Sequence, residues 1–305
     1  MPVICAIIVL KNKQESALSC LNRLLQQSRK PDSIVFVHPE SLELLPDWSG
    51  HAPVLHLLPV ADSLGSIGAG ARGMQYAFET LQADAAWILG DDTWPRPSAL
   101  EHLLKSGTDP QSIQLCTLVD PARRDELSRP LSIPGKSPGV WVPVSSKSDL
   151  PDGDTIPCRG GSHGALIPRK AWETVGAPST QLHSKGSDTY SWELQQAGFH
   201  FITVKAAEIE LPTAPQALIH YRFANRSFFY EPGIPQERQY YKIRNWAWLQ
   251  RLRAPRQHLK RLLMCGAYIL FSLCAMLRCH ECGPSRIYNL FRALHNGFYG
   301  KLRPF

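Results

Sequence analysis

An apolar run, Ala85 to Leu89, passes through Gly90 into two adjacent carboxylates, Asp91 and Asp92, and Pro95 and Pro97 follow. The run reads as a buried strand. The prolines stop it, because each lacks the amide hydrogen that a ladder needs. In open α/β sheets, ligands bind outside the carboxyl ends of the strands, where this acid pair would sit. Neighbouring carboxylates repel unless something positive lies between them. A hard divalent cation with oxygen ligands, carrying a phosphorylated substrate, suits the pair. The other reading is an acidic turn that caps a helix from about Ser98.

Upstream, Leu64 to Met74 carries Gly65, Gly68, Gly70 and Gly73 with Arg72, and leads into a helical pattern from Gln75 to Leu81. Glycines let backbone approach a ligand closely, and the first turn of a helix offers free N–H groups to an anion. Gly68-x-Gly70-x-x-Gly73 also matches a dinucleotide-binding fingerprint, with acids about 20 residues later. A dinucleotide-dependent oxidoreductase therefore stays among the readings. Against it, Pro59 and the polar loop Ala61 to Ser63 separate the glycines from any preceding strand. The acids also come as a pair, where a single ribose ligand is expected.

The stretch Leu58 to Leu104 resembles the family 2 glycosyltransferases, in particular their galactofuranosyl- and rhamnosyltransferase-like branch. The resemblance lies in Gly70-Ala71-Arg72-Gly73-Met74 and in Trp87-Ile88-Leu89-Gly90-Asp91-Asp92-Thr93-Trp94-Pro95. One departure is plain: Gly90 stands where the family has the first of three acids. The resemblance implies a GT-A-type α/β fold, a mixed sheet flanked by helices. It also implies Mg²⁺ or Mn²⁺ on Asp92, with Asp91, Arg72, Gly68 and Gly70 lining the donor site.

Other segments extend the likeness. Val3 to Leu10 reads as a strand, followed by a helical pattern Gln14 to Gln27 and a second strand Ser33 to Val37. By resemblance Asn12 lies at the first turn of the donor site. His38 stands where the family has an acid that reads the nucleobase. Gly186-Ser187-Asp188 opens a helix ending Ala197-Gly198-Phe199, which makes Asp188 the candidate base, one residue from the family position, with Glu193 behind it. An inverting transfer needs such a carboxylate to take the proton of the acceptor hydroxyl. Asp188 as a helix N-cap is the plain structural alternative. Ala217 to His220 reads as a strand whose terminal His220 would complete the metal shell. Tyr240-Tyr241-Lys242-Ile243-Arg244-Asn245 and the ending His295 to Lys301 match family segments too. Between these lie a Pro- and Ser-rich excursion, residues 120–157, with a β-like island at Val140 to Val144, and the segment Cys158 to Arg169, whose His163 could face an acceptor.

Charge divides the chain. Arg222 to Phe305 holds 15 Lys/Arg against three Asp/Glu, a net of +12, while the remainder carries −5. Basic residues precede an apolar run, Leu262 to Leu277, and Arg278 closes it. Sixteen helical residues reach only ~24 Å, short of a ~30 Å hydrocarbon core. A basic helical extension, residues 221–305, lying on a membrane surface is thus expected beside a catalytic domain of residues 1–220. The alternative is a buried helix. No nucleic-acid motif accompanies the basic tail. Eight scattered cysteines and no visible secretory signal favour the cytoplasm, at the inner face of the plasma membrane where peripheral. Cys279-His280-Glu281-Cys282 lacks the second ligand pair that a structural zinc site needs.

Together these features predict an inverting hexosyltransferase. It would use a UDP- or dTDP-sugar donor, galactofuranose or rhamnose, and a glycan or lipid-linked glycan acceptor in envelope polysaccharide synthesis. A catalytically weak relative that only binds nucleotide-sugar or glycan is the alternative raised by Gly90, His38 and the shifted Asp188.

Overall fold

The computed structural model describes residues 1–10, 14–42, 54–107, 109–137, 140–179, 182, 186–212, 219–223 and 226–303. They form two compact units. One comprises Met1–Thr180 with Ser187–Thr213, the other Gln181–Gly186 with Ala214–Phe305. The sequence-based limit at residue 220 falls within the second unit's first strand.

In chain order the first unit holds β1 (Ile4–Val9), α1 (Gln14–Leu25), β2 (Ser33–Pro39), β3 (Val54–Val60), α2 (Gly65–Gln75), β4 (Ala85–Gly90), β5 (Trp94–Pro95) and α3 (Ala99–Lys105). There follow β6 (Ser112–Val119), β7 (Glu126–Pro134), β8 (Trp141–Ser146), β9 (Thr155–Cys158), β10 (Ala165–Pro168), α4 (Arg169–Val175), α5 (Gly186–Gln196) and β11 (His200–Glu210). The strands make one mixed sheet in the order β3-β2-β1-β4-β10-β6-β11-β5. β1 to β4 run parallel, β10 enters antiparallel between β4 and β6, and β11 again runs parallel to β6. This is an α/β unit with a mixed sheet flanked by helices, compatible with a GT-A-like fold.

Burial explains the strand sequences. β1 lies between two parallel neighbours under helices on both faces, so all of Ile4–Val9 is buried and apolar. β3 is the sheet edge, which is where Pro59 is tolerated within a strand. Among its described residues, the excursion after β6 carries strands β7, β8 and β9. β7 and β8 pair as an antiparallel hairpin, and Leu127, Ile133, Val144, Leu150 and Ile156 form a small core beneath it.

The second unit consists of the hairpin β12 (Ile219–Phe223) and β13 (Arg226–Tyr230) with α6 (Gln236–Arg253), α7 (His258–Arg278) and α8 (Pro284–Phe298). Its two family-like segments bind each other. Asn296 on α8 donates to the Tyr240 hydroxyl at 2.8 Å, and Arg244 and Tyr240 both reach the Arg303 carbonyl, at 2.7 and 3.1 Å. Arg244 is buried, and burial lowers its pKa even with the Tyr240 and Tyr241 rings beside it. A Cβ at Gly297 would lie 2.2 Å from the Arg244 carbonyl, so α6 and α8 could not approach this closely with any other residue there.

Candidate functional site

The acid pair lies at the carboxyl end of β4, next to β1, where the strand order reverses between β1 and β4. Such switch points form the ligand crevice of open α/β sheets. The Asp91 amide donates to the Val9 carbonyl at 3.2 Å, extending the β1–β4 ladder by one bond. Thr93 then closes the turn. Its hydroxyl accepts from the Gly90 amide at 3.0 Å and donates to the Gly90 carbonyl at 2.7 Å. Asp91 is buried. Asp92 Oδ1 is buried with no hydrogen-bond partner among the described residues, a costly state for an acceptor unless an ion or ligand completes it. Cys20 on α1 is buried beside this turn. Burial, then the charges of Asp91 and Asp92, outweigh a Thr93 contact and push its thiol up to about 12.

Gly90 does more than mark a lost acid. A Cβ there would stand 2.8 Å from Asp92 Oδ1, so any side chain at 90 must displace that carboxylate.

The acids do not cap the next helix. α3 begins at Ala99, and the free amide of Leu100 is taken at 3.1 Å by Gln27, which also donates to the Arg96 carbonyl at 2.7 Å. The capping alternative is therefore discarded.

The glycine segment is corrected as well. It is not a loop leading into a helix at Gln75: it is the helix α2 itself, with a π turn at Tyr76–Thr80 after it. Gly73 allows α2 to lie on the sheet, since a Cβ would meet Ile7 and Val37 methyls at 2.6 and 2.9 Å. Gly68 and Gly70 are buried in the same helix, and Gly70 packs above Val9 at the end of β1. Arg72 is exposed and donates to Gln75 at 2.7 Å. The dinucleotide fingerprint needs its glycines in the strand-to-helix turn. Here they lie inside the helix, which removes the geometric basis of the oxidoreductase reading.

A strap joins the acid strand to the helix that bears Asp188. Gly164 donates to the Ile88 carbonyl at 2.8 Å, just before β10 pairs with β4 from Ala165 opposite Ile88. At its other end the Arg159 carbonyl accepts from Gln195 of α5 at 3.1 Å. Tyr190 fixes the same helix by donating to the Gly176 carbonyl at 2.9 Å. Asp188 lies half-buried in the first turn of α5. Glu193, further along, is half-buried, and burial raises its pKa.

His38 ends β2 buried, its Nδ1 at 2.9 Å from the Pro39 carbonyl. Asn12 lies outside the described residues. His220 sits in β12, paired with Phe229, and its side chain lies outside the described residues. Cys279 to Cys282 is the turn after α7, where His280 has a φ of 56° and Glu281 accepts from Tyr230 and Gly233, both at 2.6 Å. Among the described residues no three His, Cys, Asp or Glu side chains gather to hold a metal.

One cluster had no sequence signal. Arg96 bonds to Glu208 and, at 3.4 Å, to Glu210, while Lys147 reaches Glu208 at 2.5 Å. β5 pairs with β11 in register with these acids, so the segment after Asp92 is zipped to the far side of the sheet. The i, i+2 spacing of Glu208 and Glu210 marks one strand face, but the partner cation is more than a hundred residues away.

No protein-family model matches the chain. The chain is 28% identical over 200 residues to the galactofuranosyltransferase GlfT1 of Mycolicibacterium smegmatis, which covers 61% of this chain and 63% of that protein. The chain thus spans under two thirds of the relative's length. The acid turn thus lies at the strand-order reversal of a mixed α/β sheet, in a chain similar to that galactofuranosyltransferase.

Proposed function

We propose that the protein is an inverting glycosyltransferase. It moves galactofuranose or rhamnose from a UDP- or dTDP-sugar to a hydroxyl of a glycan or lipid-linked glycan, on the cytoplasmic side of the membrane, in envelope polysaccharide synthesis. The observation that carries this reading is the buried Asp92 Oδ1 at the crevice, which has no hydrogen-bond partner among the described residues. The donor set fits a small divalent cation. Mg²⁺ is commonly held by one or two carboxylates plus substrate phosphates, and Asp91 and Asp92 supply that number. When bound there, Mg²⁺ or Mn²⁺ would neutralise charge growing on the departing diphosphate.

The remaining roles fall to the chain. In this reading α2 and Arg72 bind the donor phosphates, and Asn12 and His38 serve the nucleoside. Asp188 takes the proton of the acceptor hydroxyl as its oxygen bonds to the anomeric carbon and the bond to the nucleoside diphosphate breaks. The strap from Arg159 to Gly164 keeps α5 and β4 in fixed relation, which a one-step displacement requires.

Calorimetric titration of UDP and dTDP with Mn²⁺ and with EDTA tests the donor site. Binding that needs both the metal and Asp92 is expected; failure of both nucleotides to bind with metal present would overturn the reading. Asp188→Asn should bind nucleotide as wild type does and lose about 10²- to 10⁴-fold in turnover. Gly90, in place of the first acid, favours one second reading, a relative that binds without transferring. Nucleotide-sugar binding with no turnover across donors would establish it.

A further inference from the structure

We infer that the outer face of α7 is a docking surface for an anionic lipid bilayer, on which the helix lies flat. The inner face of α7 is committed to its own unit: Met264, Cys265, Ser272, Ala275 and Met276 are buried. Arg261 is turned inward, with its guanidinium 4.9 Å from the Phe298 ring centre. The outer face is apolar and open. Leu259, Leu262, Leu263, Leu270 and Leu277 are 58 to 71% exposed. Positions 263, 270 and 277 repeat every seven residues, and 259, 266 and 274 fall on the same stripe at helical spacing. A soluble surface seldom carries leucines so grouped without a partner.

Charge selects the partner. Arg256 and Lys260 are exposed at one end of the stripe and Arg278 at the other. From Arg238 to Phe305 the sequence has a single acid, Glu281, and it is engaged by Tyr230, Gly233 and Arg286. An apolar stripe with basic ends and no exposed acid along it matches anionic headgroups over acyl chains. Tyr288 on α8 and Tyr299 just after it are exposed too, and tyrosine is a residue type that settles at the headgroup level.

Length and composition alone would let α7 cross a bilayer, since it has 21 residues and its most apolar 18-residue window has a mean hydropathy of 1.5. Its packing opposes crossing. A spanning helix would have to abandon the buried face and draw Lys260 and Arg261 towards the hydrocarbon.

The test is flotation of the full-length protein with vesicles of phosphatidylcholine alone or mixed with phosphatidylglycerol. No sugar substrate is involved, so the result is independent of the transferase reading. Wild type is expected to float with anionic vesicles and to be partly released by salt. The triple variant Leu263→Gln, Leu270→Gln, Leu277→Gln keeps its circular dichroism and loses at least about tenfold in partitioning. Arg256→Gln with Lys260→Gln reduces the preference for anionic vesicles. Wild type that stays with the soluble fraction, or undiminished flotation of the leucine variant, overturns the proposal. So does a dimer seen by sedimentation velocity and broken by the leucine changes without vesicle binding. Resistance to alkaline carbonate extraction from cell membranes would overturn the flat orientation.

Discussion

Two pairs of carboxylates end strands of the same sheet, and the protein treats them oppositely. Glu208 and Glu210, on β11, are met by Arg96, Lys147 and Arg23. Asp91 and Asp92, at the end of β4, form a turn in which Asp92 Oδ1 meets no donor among the described residues. The first pair is closed by cations of its own chain and serves cohesion, holding β5 to β11. At the second, Asp92 Oδ1 is left open among the described residues. If Asp91 and Asp92 serve a ligand, as proposed, acids that stabilise a fold and acids kept for a ligand differ in who supplies the counter-charge.

The largest effects break this contrast at its two ends. Asp92→Asn should lower turnover by at least about 10³-fold and abolish metal-dependent nucleotide binding. Its Tm should stay at or above that of wild type, because the charge is removed from a carboxylate whose buried Oδ1 has no partner among the described residues. A clear fall in Tm would mean that Asp92 is structural. Glu208→Gln should do the reverse. It leaves Arg96 and Lys147 without their common acid and costs about 2 kcal/mol, read by chemical denaturation, with turnover per folded molecule little changed.

A subtler change sharpens the ligand side. Gly90→Ala puts a methyl where Asp92 Oδ1 now lies 2.8 Å away. Nucleotide binding with Mn²⁺ should weaken by about tenfold to a hundredfold, and binding without metal should not change.

Glu193 offers the smallest effect and the clearest sign. Burial raises its pKa in the folded state. Between the ordinary value and that raised one, the native state holds more protons than the unfolded state, so stability falls as pH rises through this window. Glu193→Gln should therefore have a Tm higher by a degree or two at pH 7, on the order expected for a partly exposed acid. The gap should close below about pH 4, where both states are protonated. Unchanged turnover would also separate Glu193 from the role given to Asp188.

Much of the first unit could be read in the sequence because its signals are local. The apolar runs at Ile4–Val9, Ser33–Pro39 and Ala85–Gly90 are strands, since central parallel strands must be apolar on both faces. The prolines were not what stopped β4: it ends at Gly90, where Thr93 closes the turn, and Pro95 itself lies in β5. The glycine segment misled for a physical reason. Gly68, Gly70 and Gly73 lower helix propensity, yet tertiary packing overrides propensity where a helix must lie close to a sheet. Gly73 against Ile7 and Val37 is that close approach.

The sequence by itself determined the α/β alternation, the site of the acid pair at a strand end, and the basic, apolar character of the tail. All of these follow from residue type and short spacing. Tertiary structure alone decided which acids keep an open valence, because Arg96, Lys147 and Arg23 come from segments far apart in the chain. It alone decided that Tyr240, Arg244 and Asn296 lock α6 to α8, and which leucines of α7 face outward. Burial and counter-charge are properties of what folds back onto a residue, and neighbours in sequence do not fix them.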